Sequence, residues 1–146
     1  MRLYTIGFTK KSAEQFFGLL EANGVTRLVD IRLHPGGQLA GFTKKDDLAF
    51  FLSRLLECEY RHEVSLAPTA EMLSEYRSDH DWAEYEKQFE QLMEERGIPK
   101  ALNSDLFADA VCCLLCSEPT PEHCHRRLVA ERLKRFWPGT EVIHLV

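Results

Sequence analysis

The sequence predicts a single-domain α/β fold, a three-layer α/β/α sandwich around a mostly parallel sheet, spanning residues 1–146. Three observations predict it. Short, nearly continuous apolar runs at 3–7, 25–31 and 110–115 suit parallel strands covered on both faces. Segments with the apolar spacing of helices alternate with them. The chain's 146 residues, 45% hydrophobic, can bury one core without disulfides or metals to hold it. Right-handed crossovers would set helices on both faces and gather the strand-to-helix loops at the carboxyl edge, where function is expected.

Each element follows from local signals. Leu3-Tyr4-Thr5-Ile6-Gly7 reads as the first strand. Ser12 is a plausible N-cap for a helix burying Phe16, Leu19 and Leu20, which Asn23-Gly24 ends. Residues 25–31 make the second strand, with Asp30 and Arg32 at its end. The loop from Leu33 to Phe42, carrying His34-Pro35-Gly36-Gly37 and Gly41, is too rich in glycine for regular structure. A helix over about 44–57 should bury Leu48, Phe51, Leu52 and Leu55, and Cys58 to His62 should form a brief third strand. Residues 69–79 predict a short helix or a segment covering a cleft. The next helix, over about 82–96, has Tyr85, Phe89, Leu92 and Met93 on one face, and Gly97 after it. Residues 110–115 are the strongest buried strand. Thr120 then fits an N-cap, with Pro121 and Glu122 as the first helical residues and Leu128, Val129, Leu133 and Phe136 as the packed face. Trp137-Pro138-Gly139 turns the chain into a last strand at 141–145.

Eighteen basic against 23 acidic residues give a formal charge of −5, which excludes a general attraction to nucleic acid or anionic lipid but not a local basic pocket. Five cysteines, an odd number, and no secretory leader after Met1 predict a cytoplasmic protein with free thiols. No apolar stretch is long enough to span a bilayer, so no membrane partner is expected. The loop of Gly36, Gly37 and Gly41 lacks the lysine and hydroxyl residue of a phosphate loop, and no dinucleotide fingerprint follows the first strand. Neither an ATPase nor a nicotinamide enzyme fits, and no cofactor is expected.

The chemistry concentrates in residues 115–126, where an apolar strand stops at Cys116 and a helix starts near Cys124-His125-Arg126. Topology should bring this segment to Gly7-Phe8-Thr9 and to Asp30-Ile31-Arg32 with His34. Helix-start amides with Arg32 and Arg126 would then clamp a phosphate or carboxylate, with Gly7, Thr9 and His34 around it. Helix dipole, His125 and arginine would lower a thiol pKa at Cys116 or Cys124 and make it a nucleophile, although both also suit small apolar filling. Asp30, Glu118 and His125 are proton-transfer candidates, and Asp30 pairing with Arg32 or Arg126 is the structural alternative. Cys112 and Cys113 read as core on opposite sheet faces. Cys116, Cys124, His123 and His125 have donor types that suit zinc, but their spacing is poor for a paired-cysteine knuckle and adjacent helical residues diverge, so no metal is assigned and a zinc site on Cys116, Cys124 and a distant residue is the minor alternative.

Several of these motifs together resemble the family catalogued as domain of unknown function 488. They are Tyr4-Thr5-Ile6-Gly7, Asp30-Ile31-Arg32 followed by Pro35, Phe42, Tyr60-Arg61-His62, Cys116-Ser117-Glu118 through Pro121, Cys124-His125-Arg126 and His144-Leu145. The chain departs from the family pattern at Phe8-Thr9, at Gly36-Gly37-Gln38 and at Leu66-Ala67-Pro68. What the resemblance implies is the fold and the pocket around Asp30, Arg32 and Cys124-His125-Arg126, and no substrate. The expected function is a small cytoplasmic enzyme binding a phosphate-bearing or nucleotide-like ligand for thiol-dependent transfer or hydrolysis. A non-catalytic module binding a nucleotide or nucleic acid in the same crevice is the alternative.

Overall fold

The structure, a computed structural model, describes residues 1–36 and 41–146. The expected roles of Gly37 and Gln38 in the glycine-rich loop lie outside the described residues. Strands β1 (Arg2–Gly7), β2 (Arg27–Asp30), β3 (Glu59–His62), β4 (Cys112–Cys116) and β5 (Glu141–Leu145) form one sheet in the order β3-β2-β4-β1-β5. Every pairing is parallel, with Gly7 level with Cys116 and Asp30 level with Leu115.

Helices α1 (Ala13–Ala22), α2 (Lys45–Leu56), α3 (Ala70–Asp79), α4 (Trp82–Glu95) and α5 (His125–Phe136) cover the sheet. Alternation along the strands sorts the core into two layers. Tyr4, Ile6, Leu28, Cys113 and Leu115 pack against Phe16, Leu20, Leu48 and Leu52 of α1 and α2. Leu3, Val29, Cys112, Leu114 and Cys116 pack on the other side against Met72, Phe89, Met93, Leu128 and Leu133 of α3, α4 and α5. Each such Leu or Phe withdrawn from water contributes about 1.5–3 kcal/mol, and the expected α/β sandwich follows.

The helix starts are mostly those the local signals announce. Ser12 closes a capping box with Gln15, and Gly24 at φ 65 follows the C-cap Asn23. Thr69 and Asp81 cap α3 and α4 by accepting from the Met72 and Glu84 amides. The segment at 69–79 is both a helix and a cover, because Leu73, Tyr76 and Arg77 line a cleft over the sheet edge.

Three expectations need correction. Helix α5 begins at His125 with Cys124 as N-cap, not at Thr120 to Glu122. The preceding turns are instead tied to the sheet, since Glu118 O accepts from Arg126 Nη1 and Ser117 O from Thr9. Leu55 and Phe136 were expected in the core but are more than half exposed. Both lie in the last turn of their helices, where the apolar stripe has rotated past the sheet.

Loops after β2 and β4 leave toward opposite faces, the first leading to α2 and the second to α5. A crevice opens between them at the carboxyl edge, the place where sheets of this kind bind ligands. No helix among the described residues is long and apolar enough to cross a membrane.

Candidate active site

The loop from Ser117 to Cys124 is held from behind by β1 and the residues after it. Thr9 donates its amide and hydroxyl to Ser117 O at 3.1 and 2.6 Å. A Cβ on Gly7 would lie 1.6 Å from Glu118 O and 2.7 Å from Arg126 Nη1, so only glycine admits the loop there. Arg126, wholly buried, donates Nε to Thr5 Oγ1 at 3.2 Å, and Thr5 Oγ1 shares a further hydrogen bond with His144 Nδ1 at 2.7 Å. Burial and the Arg126 charge lower the His144 pKa, which favours its neutral ring.

This bracing delivers Cys124 in an extended conformation, φ −139 and ψ 136, one residue before the helix. Its side chain therefore does not diverge from that of His125 as two helical neighbours would. The sulfurs of Cys116 and Cys124 and a ring nitrogen of His125 all lie within 4.8 Å of one another. His125 Nδ1 sits 3.2 Å from Cys116 Sγ, and Nε2 sits 2.7 Å from Ile31 O. A carbonyl only accepts, so Nε2 carries the proton and Nδ1 faces the thiol.

Burial raises the Cys116 pKa. Hydrogen bonds from the Cys124 thiol and the Ser117 amide, the Arg126 charge and the Glu118 amide outweigh it, and the thiol ends below its ordinary value. Cys124 moves well up, through burial and then through its neighbour Cys116. Of the two, Cys116 is the one disposed to ionise.

Arg32 reaches the crevice from β2. Its Nε and Nη2 form a two-point ion pair with Asp30 at 2.9 and 2.7 Å, and Nη2 also donates to Thr43 O at 2.7 Å. Tyr60 donates its hydroxyl to Asp30 Oδ2 at 2.6 Å, and burial followed by the Asp30 charge pushes that phenol's pKa up. Asp30 is fully buried and engaged on both oxygens. Arg32 is 3% exposed, and its buried Nη1 has no hydrogen-bond partner among the described residues. Nη2 of Arg126 is likewise buried and unpartnered among the described residues.

A cavity of about 590 Å³ joins these groups, with Arg32, His34, Cys116, Ser117, Glu118, Cys124 and His125 along one side. The other side is a wall made of Tyr76, Arg77, His80, Trp82, Tyr85 and His123, with Tyr76 and Arg77 from the segment expected as a helix or cleft cover and Tyr85 from a helix face expected to be packed. Trp82 stacks between His123 at 5.1 Å and Tyr85 at 5.0 Å. The aromatic spacing at 76, 82 and 85 was the available signal, but helix packing accounted for it equally well.

Gly7, Thr9 and Arg126 do not line this cavity. They lie behind the loop and shape it, and Arg126 reaches the pocket only through its charge on Cys116. The two expected guanidinium clamps are thus divided, Arg32 at the cavity and Arg126 beneath the loop. Asp30 holds Arg32, which is the structural alternative of the sequence reading.

A family model described as Domain of unknown function DUF488 matches residues 12–133. No curated protein and no solved structure matches the chain.

Proposed function

The chain belongs to the family of the domain of unknown function DUF488, and from its pocket we propose a small cytoplasmic enzyme that binds a phosphate-bearing or nucleotide-like ligand and carries out thiol-dependent transfer or hydrolysis. The observation that carries this reading is the Cys116–His125–Ile31 O relay, a thiol 3.2 Å from an imidazole that a carbonyl orients at 2.7 Å. Nucleophile, base and orienting group in this order form a recurrent arrangement of covalent catalysis.

The Cys116 proton passes to His125 Nδ1, and the thiolate attacks an electrophilic carbon or phosphorus of the substrate. The leaving group departs with the proton returned from Nδ1, and a covalent thioester or thiophosphate remains. His125 then takes a proton from water, for hydrolysis, or from an acceptor, for transfer. The deprotonated atom attacks the intermediate, the bond to sulfur breaks, and the departing Cys116 thiolate recovers the proton from Nδ1. The Cys124 thiol donates to the Cys116 thiolate, and the Arg32 guanidinium at the cavity wall takes a substrate oxygen. Asp30 holds that guanidinium and moves no proton, while Glu118 at the rim is a second proton-transfer candidate.

The aromatic wall at Trp82 and His123 favours a second reading, a nucleotide or short nucleic-acid ligand bound without turnover. A screen of phosphorylated metabolites against the reduced chain, reading binding and turnover together, separates the two. The enzyme reading expects Cys116→Ser to abolish turnover while ligand stays bound, and Arg32→Lys to weaken binding about tenfold. Binding with no turnover that survives Cys116→Ser/Cys124→Ser establishes the second reading. No binding by any phosphorylated compound defeats both.

A further inference from the structure

We propose that Cys116, Cys124 and His125 form a binding site for one thiophilic divalent metal ion of the zinc type, with its fourth position open to the cavity. Two thiolates and one imidazole are a donor set that zinc and cobalt take in tetrahedral coordination. A tetrahedral ion with bonds of about 2.3 Å to sulfur and 2.0 Å to nitrogen sets its donors roughly 3.5–3.8 Å apart. The three donor atoms here lie within 4.8 Å of one another, and the Cys116 sulfur and His125 Nδ1 at 3.2 Å, so side-chain adjustments of up to about 1 Å bring them to this spacing.

The surroundings suit a metal as well. A histidine that ligates through one nitrogen generally donates its other N–H to a carbonyl or carboxylate, which fixes the ring. His125 meets this condition through Nε2 and Ile31 O at 2.7 Å. Two thiolates neutralise the dication, so the loaded site adds no net charge to a pocket that holds Arg32. All three ligands line the cavity, which leaves one coordination position for a water or a ligand oxygen. On loading, the ion forms two metal–sulfur bonds and one metal–nitrogen bond. Both thiols release their protons to solvent, and no oxidation state changes.

Metal binding stands independently of the proposed covalent chemistry. The two forms exclude each other, because a metal-bound Cys116 sulfur is no longer a free nucleophile, so an ion-loaded chain should be silent in any thiol-dependent turnover.

The test is titration of the reduced, chelator-stripped full chain with Co²⁺, followed by displacement with Zn²⁺ and X-ray absorption on the zinc form. The expected result is one ion per chain, a thiolate-to-cobalt charge-transfer band, and a zinc shell of two sulfurs with one imidazole nitrogen. Cys116→Ser, Cys124→Ser and His125→Ala should each weaken binding about 100-fold or more, while Cys58→Ala leaves it unchanged. The proposal is overturned by absence of binding, by a shell with other than two sulfurs, or by cobalt bands that persist in folded Cys116→Ser/Cys124→Ser. The sulfur count on the unaltered chain decides the matter if a variant does not fold. Since the readouts are spectroscopic, a failure of enzymatic activity leaves this result intact.

Discussion

Arg32 commits Nε and Nη2 to Asp30 and Thr43 beside the cavity it lines, so its position depends on a carboxylate that sees no solvent. Asp30→Asn should therefore cost about 3–5 kcal/mol in urea unfolding, because it strands a buried guanidinium. Tyr60→Phe removes a single hydrogen bond and should cost about 1 kcal/mol. A loss below half a kcal/mol for Asp30→Asn would mean the pair does not anchor the pocket. Gly7→Ala tests the loop from behind. The added methyl meets Glu118 O, and the overpacking should cost at least about 1–3 kcal/mol. Unaltered stability in that variant would show that the loop lies elsewhere. At this scale the sequence disclosed which residue types meet but not which of them face the cavity. Arg32 and Arg126 read alike along the chain, and only three-dimensional packing sends one to the pocket and the other under Glu118.

Helix α5 is the element where local signals and the structure part. Thr120-Pro121-Glu122 has good capping chemistry, but such a cap is worth only about 1 kcal/mol. The ties of Ser117 and Glu118 to Thr9 and Arg126, with the bonds of His125 to Cys116 and Ile31, hold the start at His125. Thr120→Ala should then change thermal stability by less than about 0.5 kcal/mol. Ser12→Ala, which removes a capping box, should cost about 1 kcal/mol. Equal losses in the two would restore the earlier helix start. The remaining strands and helices were readable because burial and period agree in them, reinforced at α1, α3 and α4 by side-chain caps. The end of the stripe at Leu55 and Phe136 was not, since a helix can outrun the sheet it covers.

For the molecule as a whole, the fold class could be read from the alternation of strands and helices. Strand order could not, because β1 and β4 pair across more than a hundred residues and no local signal encodes that partner. The order nevertheless decides the site, by setting the loops after β2 and β4 on either side of one crevice. A collective consequence is the alkaline behaviour of the buried thiols. Burial raises Cys58 from 9.0 to about 11, and it raises Cys113 and Cys124 in the same direction. A thiol whose folded pKa is raised stabilises the fold fully below the unfolded value, and that contribution is lost as pH rises through the folded value. The melting temperature should accordingly fall between pH 9 and 11, a window in which the lowered Lys11 acts against the trend and the lowered Cys116, whose own effect lies below pH 9, does not. A flat or rising melting temperature over that window would mean these thiols are not buried as described.

The pairing of Cys116 with His125 is the premise of the proposed chemistry, and one measurement tests it most directly: iodoacetamide alkylation of the native, reduced, metal-free chain, followed residue by residue by peptide mass spectrometry. Cys116 should be labelled first among the five cysteines, at least about tenfold faster than Cys58, and His125→Ala should remove most of that advantage. A Cys116 as inert as Cys113, or one whose rate is the same without the imidazole, would contradict the account.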